Sequence, residues 1–289
     1  MSSMNGAPFT ADWADRVRAL ARGELVPVDP RPAATVLLLR DPGAGEAAGP
    51  AVHMLRRRAS MAFAAGAYAY PGGGVDPRDE RPVRWAGPPL EWWAGALGVP
   101  AGQAQAVVCA AVRETFEESG VLLAGPDGSS VVADTTGADW EADRVALVAH
   151  DLAFADFLAA RDLVLRSDLL APWARWITPE FEQRRYDTWF FLALLPPGQR
   201  TRDVSGEADR TVWLRPAEAV DGHASGEMAM LPPTLATLRS LLPYDRAAAA
   251  LAAAADRDLT PVIAHASLDE EGRVVLTWPG HDEFSGEPS

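Results

Sequence analysis

Between residues 10 and 23, apolar positions recur at helical spacing. Trp13, Val17 and Leu20 share one face, and Gly23 stands where the helix ends. Pro27, Pro30 and Pro32 then make a stiff connector. Residues 33–39 form a continuous apolar run, the pattern of a buried strand, and residues 52–56 are a second strand. The Gly- and Pro-rich stretch 41–50 lets the two pair as a hairpin. A glycine cluster follows at Gly72, Gly73 and Gly74, then an irregular, Trp-rich segment over residues 81–100. Residues 101–119 carry the strongest helical pattern: Ala104, Val107, Val108, Ala111, Val112 and Thr115 fall on one face, and Gly120 is placed to cap the end.

Further on, residues 121–123 read as a short strand, 124–140 as a polar turn region, and 142–165 as a helix broken near Asp162. Strands are expected at 173–177, 189–195 and 211–214, with helices at 216–219 and 233–242. A tail hairpin pairs 262–266 with 274–278 across the Asp269–Gly272 turn. Mixed strands with interspersed helices point to an α/β or α+β sandwich. The organisation read from these patterns is an N-terminal helix and linker (1–32), a main domain (33–245) with an insertion at about 81–105, and an Ala-rich helix with a hairpin tail (246–289).

Composition narrows the partners. The formal net charge of −14 argues against non-specific binding to nucleic acid or to an anionic membrane. It leaves room for a small anionic substrate, because a bound cation reverses the local field. Residues 1–9 have neither a basic start nor an apolar core, and no apolar run reaches the length of a bilayer span, so a cytoplasmic protein is the default expectation. Cys109 is the one cysteine and, with Val107, Val108, Ala110 and Ala111 around it, reads as a small buried apolar residue. Oligomeric state is not encoded in any pattern here; a homodimer through the C-terminal hairpin is one option.

The informative chemistry lies in Arg113-Glu114-Thr115-Phe116-Glu117-Glu118-Ser119-Gly120-Val121. On a helix, Glu114 precedes Glu117 and Glu118 by three and four residues, so all three carboxylates project from about the same face. Like charges at that spacing repel. A hard divalent cation compensates naturally, since Mg²⁺ takes carboxylate oxygen, water and substrate phosphate. Taken alone, the run also describes a solvated helix face. The apolar opposite face and the upstream glycine motif weigh against that reading.

Together these segments resemble the Nudix box, G-x5-E-x7-R-E-U-x-E-E-x-G-U, where U is a bulky aliphatic. Its second half matches from Arg113 to Val121, with Thr115 in place of the first aliphatic residue. Its first half has two registers, Gly73 with Asp79 and Gly74 with Glu80; the first is favoured because the family's box begins at the second glycine of a Pro-Gly-Gly turn. Between Glu80 and Arg113 lie 32 residues where the family has seven. The resemblance continues on both sides of the box, through Arg56-Arg57-Arg58, Met61, Phe63, Gly66 and Tyr70-Pro71, then Trp173–Pro179, Arg184–Phe191, Trp213–Ala219 and Leu231–Pro233. This ordered series is similar to the interrupted-box branch of Nudix hydrolases that includes the peroxisomal acyl-CoA diphosphatases.

The resemblance implies a Nudix-type α/β/α sandwich with mixed sheets. It implies that Glu114, Glu117 and Glu118, with the Gly73 carbonyl, hold Mg²⁺ or Mn²⁺, and that Asp79 (or Glu80), Arg113 and Gly120 shape the box. The catalytic base is Glu117, Glu118 or Glu207 on a later loop. Arg56, Arg184 and Arg185 are candidates for substrate phosphate, with ion pairs to Asp187 or Glu182 as the alternative for the last two. The expected partner is a small nucleotide substrate, CoA or acyl-CoA foremost. Arg56 and Gly66 fit the CoA diphosphatase signature, whereas Ala62 stands where its second arginine is expected. The alternatives are ADP-ribose, a dinucleotide or an oxidised nucleoside triphosphate as substrate, and a catalytically silent nucleotide sensor.

Overall fold

The computed structural model describes residues 12–43, 49–59 and 64–279. Helix α1 (Trp13–Ala21) buries Trp13 and Val17 and ends before Gly23, whose φ of +71° suits glycine. The linker leads into β1 (Arg31–Arg40), β2 (Ala51–Arg57), β3 (Tyr68–Ala69) and β4 (Gly72–Gly74). A 3₁₀ turn at Pro77–Glu80 is followed by β5 (Trp85–Ala86), α2 (Leu90–Leu97) and the long α3 (Ala101–Ser119). Then come β6 (Ala124–Gly125), α4 (Ala138–Val148), α5 (Phe154–Ala160), β7 (Val164–Arg166), β8 (Ala171–Ile177) and β9 (Tyr186–Leu194). The chain ends with β10 (Ala208–Leu214), α6 (Pro216–Ala224), α7 (Pro232–Leu241), α8 (Ala247–Ala253), β11 (Val262–Ile263), β12 (His265–Leu268) and β13 (Val274–Thr277).

One mixed sheet organises these elements, in the order β10-β2-β1-β9-β8-β11, with β3 against β2 and β4 against β1. Strands β1 and β9 run parallel at its centre and β1–β2 is antiparallel, as the hairpin pattern required. Both faces are covered. Ala34, Val36 and Leu38 of β1 meet α3 in one core, and Leu37 and Leu39 meet α7 and α8 in the other. That two-sided burial explains the unbroken apolar run of β1 and gives the expected mixed α/β sandwich. Trp189 and Phe191 likewise face one core and Phe190 the other. Cys109 is buried and free, and burial pushes its thiol pKa up. No single helix among the described residues is long and apolar enough to cross a membrane.

Several elements differ from expectation. The segment 81–100 is not irregular throughout: α2 forms there, burying Trp93 and Leu97 and ending at Gly98 in the left-handed region. The helix expected over 142–165 is two helices and a strand. α4 stops at Val148, His150 turns with φ +59°, α5 ends before Asp162 at φ +52°, and β7 follows. The strand expected at 121–123 is displaced to β6, and the turn region 124–140 gives way to α4 from Ala138. In the tail, Val262 and Ile263 join the main sheet parallel to β8, and only β12 and β13 form the hairpin. Met61, Ala62 and Phe63 lie outside the described residues.

His53 sits on β2 beside Trp213, with ring centroids 5.3 Å apart. It is fully buried, and among the described residues neither ring nitrogen has a hydrogen-bond partner. Burial pushes its pKa down to about 4. A depressed pKa means that its stability contribution is full above the unfolded value of about 6.5 and is lost as pH falls through the folded value. Denaturant titrations from pH 7 to 4 are expected to show His53→Leu losing about 3 kcal/mol less stability than the parent chain. Parallel pH profiles for the two proteins would contradict this.

Candidate active site

Strand β4 is made of three glycines, and the backbone packed against Gly72 requires glycine there. It runs antiparallel to β1, with Thr35 opposite Gly72 and Ala34 opposite Gly73. A Cβ on Gly72 would lie 2.6 Å from the Ala34 carbonyl oxygen, and one on Gly73 would lie 2.6 Å from the Glu114 carboxylate. The C-terminal half of α3 therefore docks directly onto backbone. The Gly72 N–H donates to Glu118 Oε2 at 2.8 Å.

Arg113 organises the other side. It forks onto Asp79, Nε to Oδ1 at 3.0 Å and Nη2 to Oδ2 at 2.9 Å, and Nη2 also donates to the Gly74 carbonyl at 2.9 Å. Its Nη1 reaches Glu114 at 2.7 Å and Glu117 at 3.3 Å. Burial opposes its charge, but hydrogen bonds to Asp79 and the nearby carboxylates outweigh that and hold its pKa above the ordinary value. Asp79 is buried in the 3₁₀ turn, where it accepts the Asp76 N–H at 2.9 Å. Glu80 is exposed, and its carbonyl takes a hydrogen bond from Gln105. The geometry thus places Asp79, spaced from Gly73, inside the loop–helix unit.

The three glutamates have high proton affinity. Burial pushes Glu114 up to about 7, and neighbouring Glu117 adds to this against the pull of Arg113. Burial also raises Glu117, and it raises Glu118 well above the carboxylate range, with repulsion from Glu114 next. Among the described residues, no three Asp, Glu, His or Cys side chains converge on one point as they stand. Glu114 is turned to Arg113 and Glu118 to Gly72. The donors nevertheless suit a hard divalent cation: crowded, partly desolvated carboxylates backed by glycine backbone, where added positive charge relieves both burial and repulsion.

Beside Glu118 lies a shallow depression lined by Leu55, Arg57, Ala69, Tyr70, Ser205 and Glu207. Glu207 stands at its rim, 3.5 Å from Arg57. Strand alternation sends Arg56 to the opposite side of β2 from Arg57, where it pairs with Asp209 at 2.7 Å. Arg57 is therefore the arginine beside the carboxylates, a residue the sequence reading did not single out; the one available signal was the alternation of β2 itself. Arg184 is exposed, and Arg185 is buried, donating to the backbone carbonyls of Thr178 and Val28. Neither lines the depression. Their expected ion partners are engaged elsewhere, Asp187 by Arg175 and Glu182 by Arg16. Gly120 closes α3 with φ +73°.

The loop–helix unit agrees with what the chain is similar to. The family described as the NUDT19 Nudix domain matches residues 95–241, about half of the chain and all of Arg113–Gly120. The chain belongs to this Nudix family. It is 28% identical over 205 residues to the acyl-coenzyme A diphosphatase NUDT19 of Xenopus laevis, covering 65% of this chain and 53% of that protein. It is 32% identical over 146 residues to the human protein of that name, covering 46% and 38%. The chain thus spans about half the length of the curated relatives it matches. A Nudix hydrolase structure from Alicyclobacillus acidocaldarius superposes with a TM-score of 0.65 at 28% identity, covering 78% of this chain and 96% of that one. The mixed α/β sheet with its covering helices is that of a Nudix-type fold.

Proposed function

We propose that this Nudix chain hydrolyses the diphosphate bond of a nucleotide-linked substrate, CoA or acyl-CoA foremost, releasing 3′,5′-ADP and (acyl-)4′-phosphopantetheine. The observation that carries the reading is the docking of α3 onto the glycine turn through Glu114 and Glu118, with Glu117 held beside Glu114 by Arg113. The relatives named acyl-coenzyme A diphosphatase favour the CoA substrate.

In this reading Glu114, Glu117 and Glu118, with the Gly73 carbonyl, hold Mg²⁺ or Mn²⁺. The bound metal supplies positive charge at a phosphoryl oxygen and acidifies a water. Arg113 and Asp79 keep the box closed around them. Glu207, at the rim of the depression, or Glu117 or Glu118, accepts the water proton. Water adds to one phosphorus, the bridging oxygen leaves with the other, and each product keeps one phosphate of the broken pair. Arg57 is placed to receive a substrate phosphate, since its planar fork can move from Glu207 to an incoming anion.

The test is a panel of CoA, acyl-CoA, ADP-ribose, dinucleotides and nucleoside triphosphates with Mn²⁺ or Mg²⁺, products being resolved by chromatography. Glu117→Gln is expected to lower turnover roughly 10²–10⁴-fold. Cleavage of CoA thioesters to 3′,5′-ADP, lost in the variant, is the expected result. Turnover confined to another diphosphate would remove the CoA assignment. Equal turnover by Glu117→Gln would remove the glutamate cluster from the chemistry.

A further inference from the structure

The carboxylates of α3 sit on its last two turns, where a helix runs out of internal partners for its carbonyls. Here the Gly120 N–H at the C-cap returns to Phe116 O at 2.9 Å, and two further carbonyls are engaged from outside the helix: Arg144 Nη1 donates to Glu117 O at 2.7 Å, and the Arg202 N–H donates to Ser119 O at 2.8 Å. Arg144 comes from α4 and Arg202 from the segment after β9, both outside the box. One carboxylate latches them together: Glu141 accepts Arg144 Nη2 at 2.6 Å and Arg202 Nη1 at 2.7 Å. The two guanidiniums hold the Glu141 carboxyl well below its usual range, the hydrogen bond from Arg144 contributing most. Arg202 also lies against Gly120, where a Cβ would come within 2.6 Å of its Nε. Among the described residues its buried Nε and Nη2 have no hydrogen-bond partner.

We propose that Arg144, latched by Glu141 and Arg202, is a positioning residue that fixes the carboxylate-bearing end of α3 against the glycine turn. The proposal rests on reading Glu114, Glu117 and Glu118 as the metal-binding group. Its physical basis is local. A buried cation on a terminal carbonyl makes a charge-assisted hydrogen bond and faces the negative end of the helix dipole. The bonded carbonyl belongs to Glu117, so the contact sets the backbone from which Glu117 and Glu118 project. Without it the last turn can fray, and the two carboxylates lose their placement relative to Gly72 and Arg113.

The experiment compares the full chain with Arg144→Gln, Arg144→Lys, Glu141→Gln and Glu117→Gln. Three quantities are read: Mn²⁺ affinity by calorimetry, kcat and KM for diphosphate cleavage, and the thermal midpoint. Binding and kinetics are measured well below every midpoint. Arg144→Gln is expected to weaken Mn²⁺ binding by about 10–100-fold. Its kcat falls at fixed Mn²⁺, KM is unchanged, and excess Mn²⁺ restores activity. Arg144→Lys keeps one donor for the carbonyl but loses the fork onto Glu141, so it falls between Arg144→Gln and the parent. Glu141→Gln, which keeps an acceptor oxygen for only one of the two arginines and loses the charge that pairs them, also weakens Mn²⁺ binding. If Arg144→Gln lowers only the midpoint and the folded variant binds Mn²⁺ as the parent does, Arg144 is a structural cap and the proposal is overturned. If Glu117→Gln also binds Mn²⁺ and turns over normally, the metal reading fails and takes the proposal with it. Loss in Glu117→Gln without loss in Arg144→Gln overturns the positioning role alone.

Discussion

Glu118→Gln is expected to raise the thermal stability of the metal-free chain while removing its metal-dependent turnover. The carboxylate accepts one backbone N–H, from Gly72, and a glutamine oxygen can accept the same bond. What the substitution removes is a charge that burial and Glu114 both oppose, so that its pKa stands well above the carboxylate range. A raised folded pKa contributes stability that is full below the unfolded value of about 4.3 and is lost as pH rises through the folded one. At neutral pH the parent chain therefore carries a penalty that the variant lacks, about 1–3 kcal/mol, or a midpoint several degrees higher in the variant. The difference should shrink toward pH 4.5, in the direction that the raised pKa dictates. Added Mn²⁺ should stabilise the parent and not the variant, because only the parent retains the third carboxylate. Scanning calorimetry with and without Mn²⁺ checks both signs. A variant less stable than the parent without metal would mean that the carboxylate is a structural acceptor, and the functional reading of the cluster would lose its main support.

Asp79→Ala is expected to destabilise the chain by about 3–5 kcal/mol, because it strands the buried Arg113 guanidinium without its forked partner. Glu80→Ala, one residue on, removes an exposed side chain and is expected to change stability by less than about 0.5 kcal/mol. The contrast is large because strength here follows burial and geometry, not charge. Both residues are acidic, yet only one lies inside the turn that closes on α3. Urea denaturation of the two variants decides it. A large loss in Glu80→Ala with little in Asp79→Ala would move the box register by one residue. It would also contradict the packing around Arg113.

What was legible in the chain follows the range of the interaction. β1 and β9 carry apolar runs because both faces of the central sheet are covered, and that pattern is visible residue by residue. The three glutamates were legible for the same reason: their common face depends only on helical spacing. The α2 helix was missed because Gly and Trp dilute its signal, although Leu90, Trp93 and Leu97 do recur at helical spacing. The break near Asp162 is legible and is found, whereas the further one between α4 and α5 is not, because His150 adopts a left-handed turn without a glycine to mark it. β7 reads in sequence as the end of a helix because a three-residue buried strand has no period of its own. The arginines divide similarly. Arg113 belongs to the local motif, whereas which of Arg56 and Arg57 stands beside Glu118 depends on which strand face meets α3. The contact of Arg144 with Glu117 joins residues 27 apart in sequence. No local pattern encodes either choice.

The most direct test of the central claim is a metal titration of diphosphate cleavage. The chain is stripped with EDTA, mixed with acyl-CoA, ADP-ribose and a dinucleotide, and Mn²⁺ is added stepwise while products are followed by phosphorus NMR. The account predicts no product before metal, a saturable rise with Mn²⁺, two products each bearing one phosphate of the broken pair, and no rise in Glu118→Gln. Cleavage that proceeds equally in EDTA, or equally in Glu118→Gln, would contradict it.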